Sequence, residues 1–110
     1  MNCTITYAKS AKQDLIDIYH YIAHVLLAPQ YATNQTERIM KAIRSLEEMP
    51  LRYAVYKEDP WKTMGLRFVP IDNYLVFYLP KEESKSINII RIIYGGRDIN
   101  QQLKDTTEEL

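Results

Sequence analysis

The chain has 110 residues, 46% of them hydrophobic and 25% charged, and its formal net charge at neutral pH is zero. That length and composition suit one folded domain with a modest core and exclude disorder over most of the chain. The charge balance excludes a broadly basic nucleic-acid binder, and no apolar run approaches the ~20 residues of a membrane span.

The single cysteine, Cys3, cannot form an internal disulfide, and no charged-then-apolar leader opens the chain, so a cytoplasmic protein is expected. Cys3, Ile5 and Tyr7 alternate with polar residues, which predicts a short half-buried strand with Cys3 as a small core residue. Ser10 followed by Gln13 fits a capping box and predicts a helix over about 10–26. Leu15, Ile18, Tyr19, Ile22, Ala23 and Leu26 form its apolar stripe. His20 and His24 share the opposite face with Asp17, but nothing completes a metal site, so no metal and no cofactor is expected.

Pro29 breaks this helix because proline lacks an amide donor and restricts the residue before it. A second helix is predicted from about 29 or 30 to 48, with Ala32, Ile39, Ala42, Ile43, Leu46 and Met49 facing inward and Pro50 ending it. The short connection makes the pair an antiparallel hairpin. Residues 50–65 show no sustained period, yet Tyr53, Tyr56 and Trp61 interleave there with Arg52, Lys57 and Lys62. Such a segment can stack on a partner, or its aromatics can plug the edge of the core.

Three apolar runs come next: Leu66 to Pro70, Tyr74 to Pro80 and Ile87 to Tyr94, separated by turn residues. They predict an antiparallel meander. In the first, Leu66, Phe68 and Pro70 fall on one side, with Arg67 and Val69 on the other. In the third, strict alternation puts Ile87, Ile89, Arg91 and Ile93 on one face and Ile90, Ile92 and Tyr94 on the other. Both faces are apolar, so this strand needs cover twice over: helices on one side, and a partner, a long loop or a third helix on the other. Asp98 is placed to cap such a helix through Leu103. A single domain over 1–104 and a flexible acidic tail over 105–110 are expected. Without that tail the chain carries 14 basic against 11 acidic side chains.

The start Y-A-K-S-A-K-Q-D-L-I-D-I-Y-H-Y-I, the block L-R-F-V-P-I-D-N-Y-L-V-F-Y and the ending I-I-R-I-I-Y-G-G-R-D-I stand in one order and spacing. Together they resemble the RelE/ParE superfamily, the toxins of type II toxin–antitoxin pairs. The resemblance covers residues 3 to about 104. It implies an α+β domain with an N-terminal strand, an antiparallel helical hairpin on one sheet face, a three-stranded antiparallel meander and a short C-terminal helix. It also implies a toxin of a plasmid-stabilising module, an antitoxin partner, and growth inhibition of a bacterial host through DNA gyrase (ParE-like) or ribosome-bound messenger RNA (RelE-like). A third possibility is a non-toxic member that only binds an antitoxin.

On the resemblance, Arg67 matches a basic position on the second strand and Arg97 an arginine just after the last. Tyr74 stands where RelE-like members place an arginine, and Leu103 where they place a late tyrosine. Cleaving RNA through its 2′-hydroxyl needs cations and a proton-transfer pair. Arg67, Arg91 and Arg97 can supply the cations, but the nearest proton carriers are Tyr94 and Tyr74, with reference pKa values near ~10. The catalytic candidates are therefore Arg67, Arg91, Tyr94 and Arg97, in a chain expected to lean away from enzymatic action. Tyr53, Tyr56, Trp61 and Arg97 are the candidates for partner binding. The bland alternatives are a surface pair of Arg97 with Asp98 or a tail carboxylate, and an Arg91 capped by Glu58 or Asp59.

Overall fold

A computed structural model describes residues 3–106. Strand β1 (Thr4–Tyr7) leads into helix α1 (Lys9–His20), which widens into a π-helical segment at Tyr21–Val25. Helix α2 (Pro29–Ser45) returns alongside it, a single turn α3 (Trp61–Met64) interrupts the connection, and β2 (Arg67–Ile71), β3 (Tyr74–Lys81) and β4 (Ser86–Tyr94) form the meander. Helix α4 (Ile99–Lys104) closes the described chain. The strands lie in the order β1-β4-β3-β2, with β1 parallel to β4 and the other pairs antiparallel. This is the α+β architecture the sequence predicts.

The N-terminal helix starts at Lys9 with Ala8 as its N-cap, two positions before the Ser10 that the capping box would make the cap. The amide of Ala8 donates to the carbonyl of Ile89 at 2.8 Å, so the strand exit sets the helix start and no side chain caps it. Gln13 instead donates to Asp17 at 2.8 Å, one turn along. Pro29 opens α2 at its first turn, where a missing amide costs nothing. The second helix ends at Ser45 rather than 48, because i→i+3 bonds from Leu46 and Glu47 tighten its last turn. Leu46 still reaches the core, whereas Met49 lies exposed.

One core layer sits between the hairpin and the sheet, built on Ile39, Ile43, Val76, Tyr78, Ile87, Ile89 and Ile92. The second layer, on the far face, holds Trp61, Leu66, Phe77, Ile90, Ile93 and Leu103. That face is covered from within the chain, by α3 with its flanking loop and by α4, whose cap Asp98 accepts from the amide of Gln101 at 3.1 Å. The faces of β4 differ from strict alternation. The register shifts between Phe77, opposite Arg91, and Tyr78, opposite Ile89, so Ile90 is an extra residue. A bulge of this kind reverses the parity of every residue beyond it. Ile92 therefore joins Ile87 and Ile89 against the hairpin, and Ile93 joins Ile90 on the far side.

Tyr78 is wholly buried and donates to the carbonyl of Pro50 at 2.9 Å. Burial pushes its phenol from 10.0 up to about 12. A pKa raised on folding contributes stability that is full below the unfolded value and is lost as pH rises through the folded one. The loss should fall between about pH 10 and pH 12 and reach about 2–3 kcal/mol. Tyr78→Phe should flatten this alkaline decline in thermal unfolding followed against pH. An undiminished decline in the variant would mean that other groups cause it. Tyr7, Tyr56 and Tyr74, raised mainly by burial, leave a residual slope in both proteins.

Candidate functional site

Where the hairpin tip meets the open end of the meander, the surface folds into a cleft of about 590 Å³. One wall is the tip, with Tyr21, Leu26 and Tyr31; the other is Asn73, Tyr74, Tyr94 and Arg97. Asp14, Arg91 and Gln102 form part of its floor.

The tip wall owes its shape to the π-helical segment. The amide of Leu26 bonds the carbonyl of Tyr21, an i→i+5 step, at 3.0 Å. Widening the helix by one residue rotates the positions after the insertion, so Leu26 leaves the predicted core stripe and is 55% exposed. Leu27 then takes a left-handed conformation at φ 55°, which costs a non-glycine residue roughly 1–2 kcal/mol. Ala32 is fully buried and seats the start of α2 beneath the tip, packed with Ile22 and Ala23. Asp72 accepts from Gln35 at 2.9 Å and pairs with Arg38, which ties the β2–β3 turn to α2.

The strand wall depends on the two glycines after β4. The amide of Gly95 donates to the carbonyl of Asn73 at 2.8 Å. A Cβ on Gly96 would stand 2.7 Å from the ring of Tyr94, so glycine there lets that ring fold back toward Tyr74. The two rings meet edge to face at 5.8 Å. Burial raises the phenol of Tyr74, reinforced by Tyr31 and Tyr94 and opposed by the cation of Arg97. These contributions bring Tyr74, Tyr31, Tyr94 and Arg97 into one electrostatic neighbourhood.

The arginines have separate fates. Arg67 donates to the carbonyls of Tyr53 at 2.5 Å and Leu51 at 3.3 Å, pinning the loop after α2. Arg91 is not capped by Glu58 or Asp59. Its Nε and Nη2 grip the carboxylate of Asp14 at 2.7 and 3.0 Å, and its remaining donors hold Gln102 and Thr106. Asp14 also accepts from the amide of Ile92 at 2.8 Å, beyond Ile89, where the pairing of β1 with β4 ends. Arg97 is exposed, and among the described residues its guanidinium has no hydrogen bond or ion pair. Asp98, its proposed partner, caps α4 instead. Of the expected tail, Thr106 is 1% exposed and bonded to Arg91, while 107–110 lie outside the described residues.

The aromatics of the 50–65 segment are placed apart from the cleft. Trp61 is 3% exposed on the far sheet face, and its indole N–H has no partner among the described residues. Tyr56 packs edge to face on Trp61, Phe68 and Phe77 and donates to Asn100. Tyr53 packs against the hairpin-side core, with Arg52 above its ring at 5.5 Å. These are packing positions, and only Tyr53 and Tyr56 retain some exposed surface. His20 and His24 are exposed and stacked at 5.2 Å, and no cluster of three metal-ligating side chains occurs among the described residues. No described helix is long and apolar enough to cross a membrane.

Residues 5–99 match the model of a family described as ParE toxin of the type II toxin–antitoxin system parDE. Similar solved structures include a chromosomal ParDE system from P. aeruginosa, 25% identical over 84% of this chain and 95% of that one, with a TM-score of 0.67. The toxin–antitoxin complex RelBE2 from Mycobacterium tuberculosis is 17% identical over 86% and 99%, at 0.61. A free mutant of the E. coli toxin RelE is 12% identical over 100% and 99%, at 0.67. At those identities the last two speak for the fold alone. No curated protein matches.

Proposed function

The chain belongs to the ParE toxin family of type II toxin–antitoxin systems, and from that premise we propose that it is the toxin of such a pair and inhibits growth by binding DNA gyrase, not by cutting RNA. The observation that carries this reading is the disposition of its arginines. A nuclease needs several cations aimed at one phosphate and a group that moves a proton near neutral pH. Here Arg91 is committed to Asp14 and Arg67 to loop carbonyls, and of the three only Arg97 has no partner among the described residues. Tyr74 is raised by burial, which makes it a poorer base at neutral pH, and the buried Leu103 offers no hydroxyl. One exposed cation beside a tyrosine-lined apolar cleft suits recognition of a protein surface better than cleavage of a polyanion. The partner in the pair is an antitoxin: the matched family is the toxin of a toxin–antitoxin system, and the P. aeruginosa neighbour is a ParDE system. The setting is the bacterial cytoplasm, and the module serves plasmid stabilisation.

Two reactions run side by side test this: supercoiling by purified gyrase, and cleavage of messenger RNA on programmed ribosomes. Supercoiling should be inhibited and the message left intact. Cleavage within the ribosomal A site, with gyrase unaffected, would replace this reading by the nuclease one. Inactivity in both, with antitoxin binding retained, would leave a non-toxic member.

A further inference from the structure

His20 and His24 take no part in the cleft or in the core layers on either sheet face. Four residues apart, they share one side of the helix where α1 passes into its π-helical segment, and both are exposed. Their rings stack at 5.2 Å with planes 25° apart. A tetrahedral zinc gives that separation a use. With Zn–N bonds of about 2.0–2.1 Å, two imidazoles on one ion hold their ring centroids about 5 Å apart. The two rings already stand at that spacing, so rotation about their side-chain bonds suffices to aim one nitrogen of each at a common point. Imidazole suits zinc, copper and nickel among the divalent metals.

Within one chain the ligand set stays at two, since no group of three metal-ligating side chains occurs among the described residues. Two imidazoles leave half of the tetrahedron to water, whereas closed zinc sites carry four protein ligands. The surface beside the pair points to the source of the other half. His20 also lines a groove of about 230 Å³ on the outside of the hairpin, with Leu15, Ile16, Tyr19 and Met40. None of these residues lines the cleft. Tyr19 stands edge to face with the His20 ring at 6.0 Å, and Ile16, one turn earlier, is 50% exposed. A twofold axis through a metal on the pair returns the same two histidines and lays groove beside groove, because His20 belongs to both. A different protein would have to present two histidines of its own at this spacing. A second copy brings them by symmetry, together with an apolar surface to cover Ile16.

We propose that His20 and His24 are one half of a tetrahedral zinc site that joins two copies of this chain through the outer face of the hairpin. The metal supplies the main link, because the groove alone is small, and the groove supplies the apolar contact that favours this partner over solvent. The dimer leaves the cleft residues outside its metal site, so it stands independently of the cellular target.

The test uses the full-length chain, untagged and stripped of metal with a chelator, titrated with zinc alone. Calorimetry should give one zinc per two chains. Sedimentation velocity should show monomer passing to dimer over the same range, and EDTA should reverse it. His20→Gln and His24→Gln should each abolish the dimer, with circular dichroism unchanged because both positions are exposed. Ile16→Asp keeps the ligands but puts a charge into the groove, and should weaken the zinc-driven association about tenfold or more. Cobalt in place of zinc should give the intense visible absorption of a tetrahedral ion in wild type and lose it in either histidine variant. One zinc per chain on a protein that stays monomeric would overturn the shared site. So would a dimer that forms without metal or persists in both histidine variants, and so would a wild type that takes up no zinc.

Discussion

Replacing Arg91 with alanine should destabilise the fold by about 3–5 kcal/mol, the range for breaking one side of a buried ion pair. Both side chains of the pair are nearly enclosed, at 14% exposure for Arg91 and 13% for Asp14. The guanidinium makes five hydrogen bonds: two to Asp14, two to Gln102 and one to Thr106. All five of its N–H donors are used. Truncation leaves the carboxylate of Asp14 desolvated with only the amide of Ile92, and it releases the backbone carbonyl and side-chain amide of Gln102 from the sheet. Against a total stability of about 5–15 kcal/mol, such a loss is large. Replacing both members by apolar residues, Arg91→Met with Asp14→Leu, should recover part of it, because no unpaired charge then remains. The recovery should be incomplete, since Ile92 loses its acceptor. Urea denaturation of the two single variants and the double variant reads these terms directly. A loss below about 1 kcal/mol in Arg91→Ala would show that the pair does not hold α1, β4 and α4 together.

Much of the fold is legible in the sequence because local pattern and tertiary demand agree. Alternation around Ile5, the stripe from Leu15 to Ala23, Pro29 at a helix start and the Asp98 cap all act within one turn or one strand. The features that escape such reading come from two local irregularities and one distant partner. The bulge at Ile90 adds a single residue, and nothing in I-N-I-I-R-I-I-Y distinguishes a bulged strand from a regular one. The π-helical step likewise shifts Leu26 by one position, turning a predicted core residue into a cleft wall. Asp14 escapes as the partner of Arg91 because 77 residues separate them. An arginine inside an apolar strand demands a carboxylate, and that demand is the signal, but the sequence offers many acidic residues and does not choose among them. The 50–65 segment shows no period because its order is borrowed: Arg67 pins its carbonyls, Val55 bridges to β2, and Trp61 anchors it in the far core.

Arg97→Ala should abolish growth inhibition while leaving stability within about 0.5 kcal/mol of wild type, the usual range for a surface position, since its side chain has no partner among the described residues. Losing the cleft cation that has no partner among the described residues removes a charge-assisted contact that costs about 2–5 kcal/mol at a protein interface, or a roughly 30-fold or greater loss of target affinity. Arg67→Ala is the informative companion. Its guanidinium holds the carbonyls of Leu51 and Tyr53, so truncation should lower stability modestly, by about 1–3 kcal/mol. Toxicity should then fall only as far as folded protein is lost, and lowering the growth temperature should restore it. Arg97→Ala should show no such rescue. Arg97→Lys keeps the charge but not the planar fork, and should recover activity in part. The measurement is growth on graded induction, with folding followed by circular dichroism. Full toxicity in Arg97→Ala would take the cleft rim out of target recognition. The remaining candidates would then be the outer faces of the hairpin and the exposed parts of Tyr53 and Tyr56, since Trp61 is enclosed and has no surface to offer.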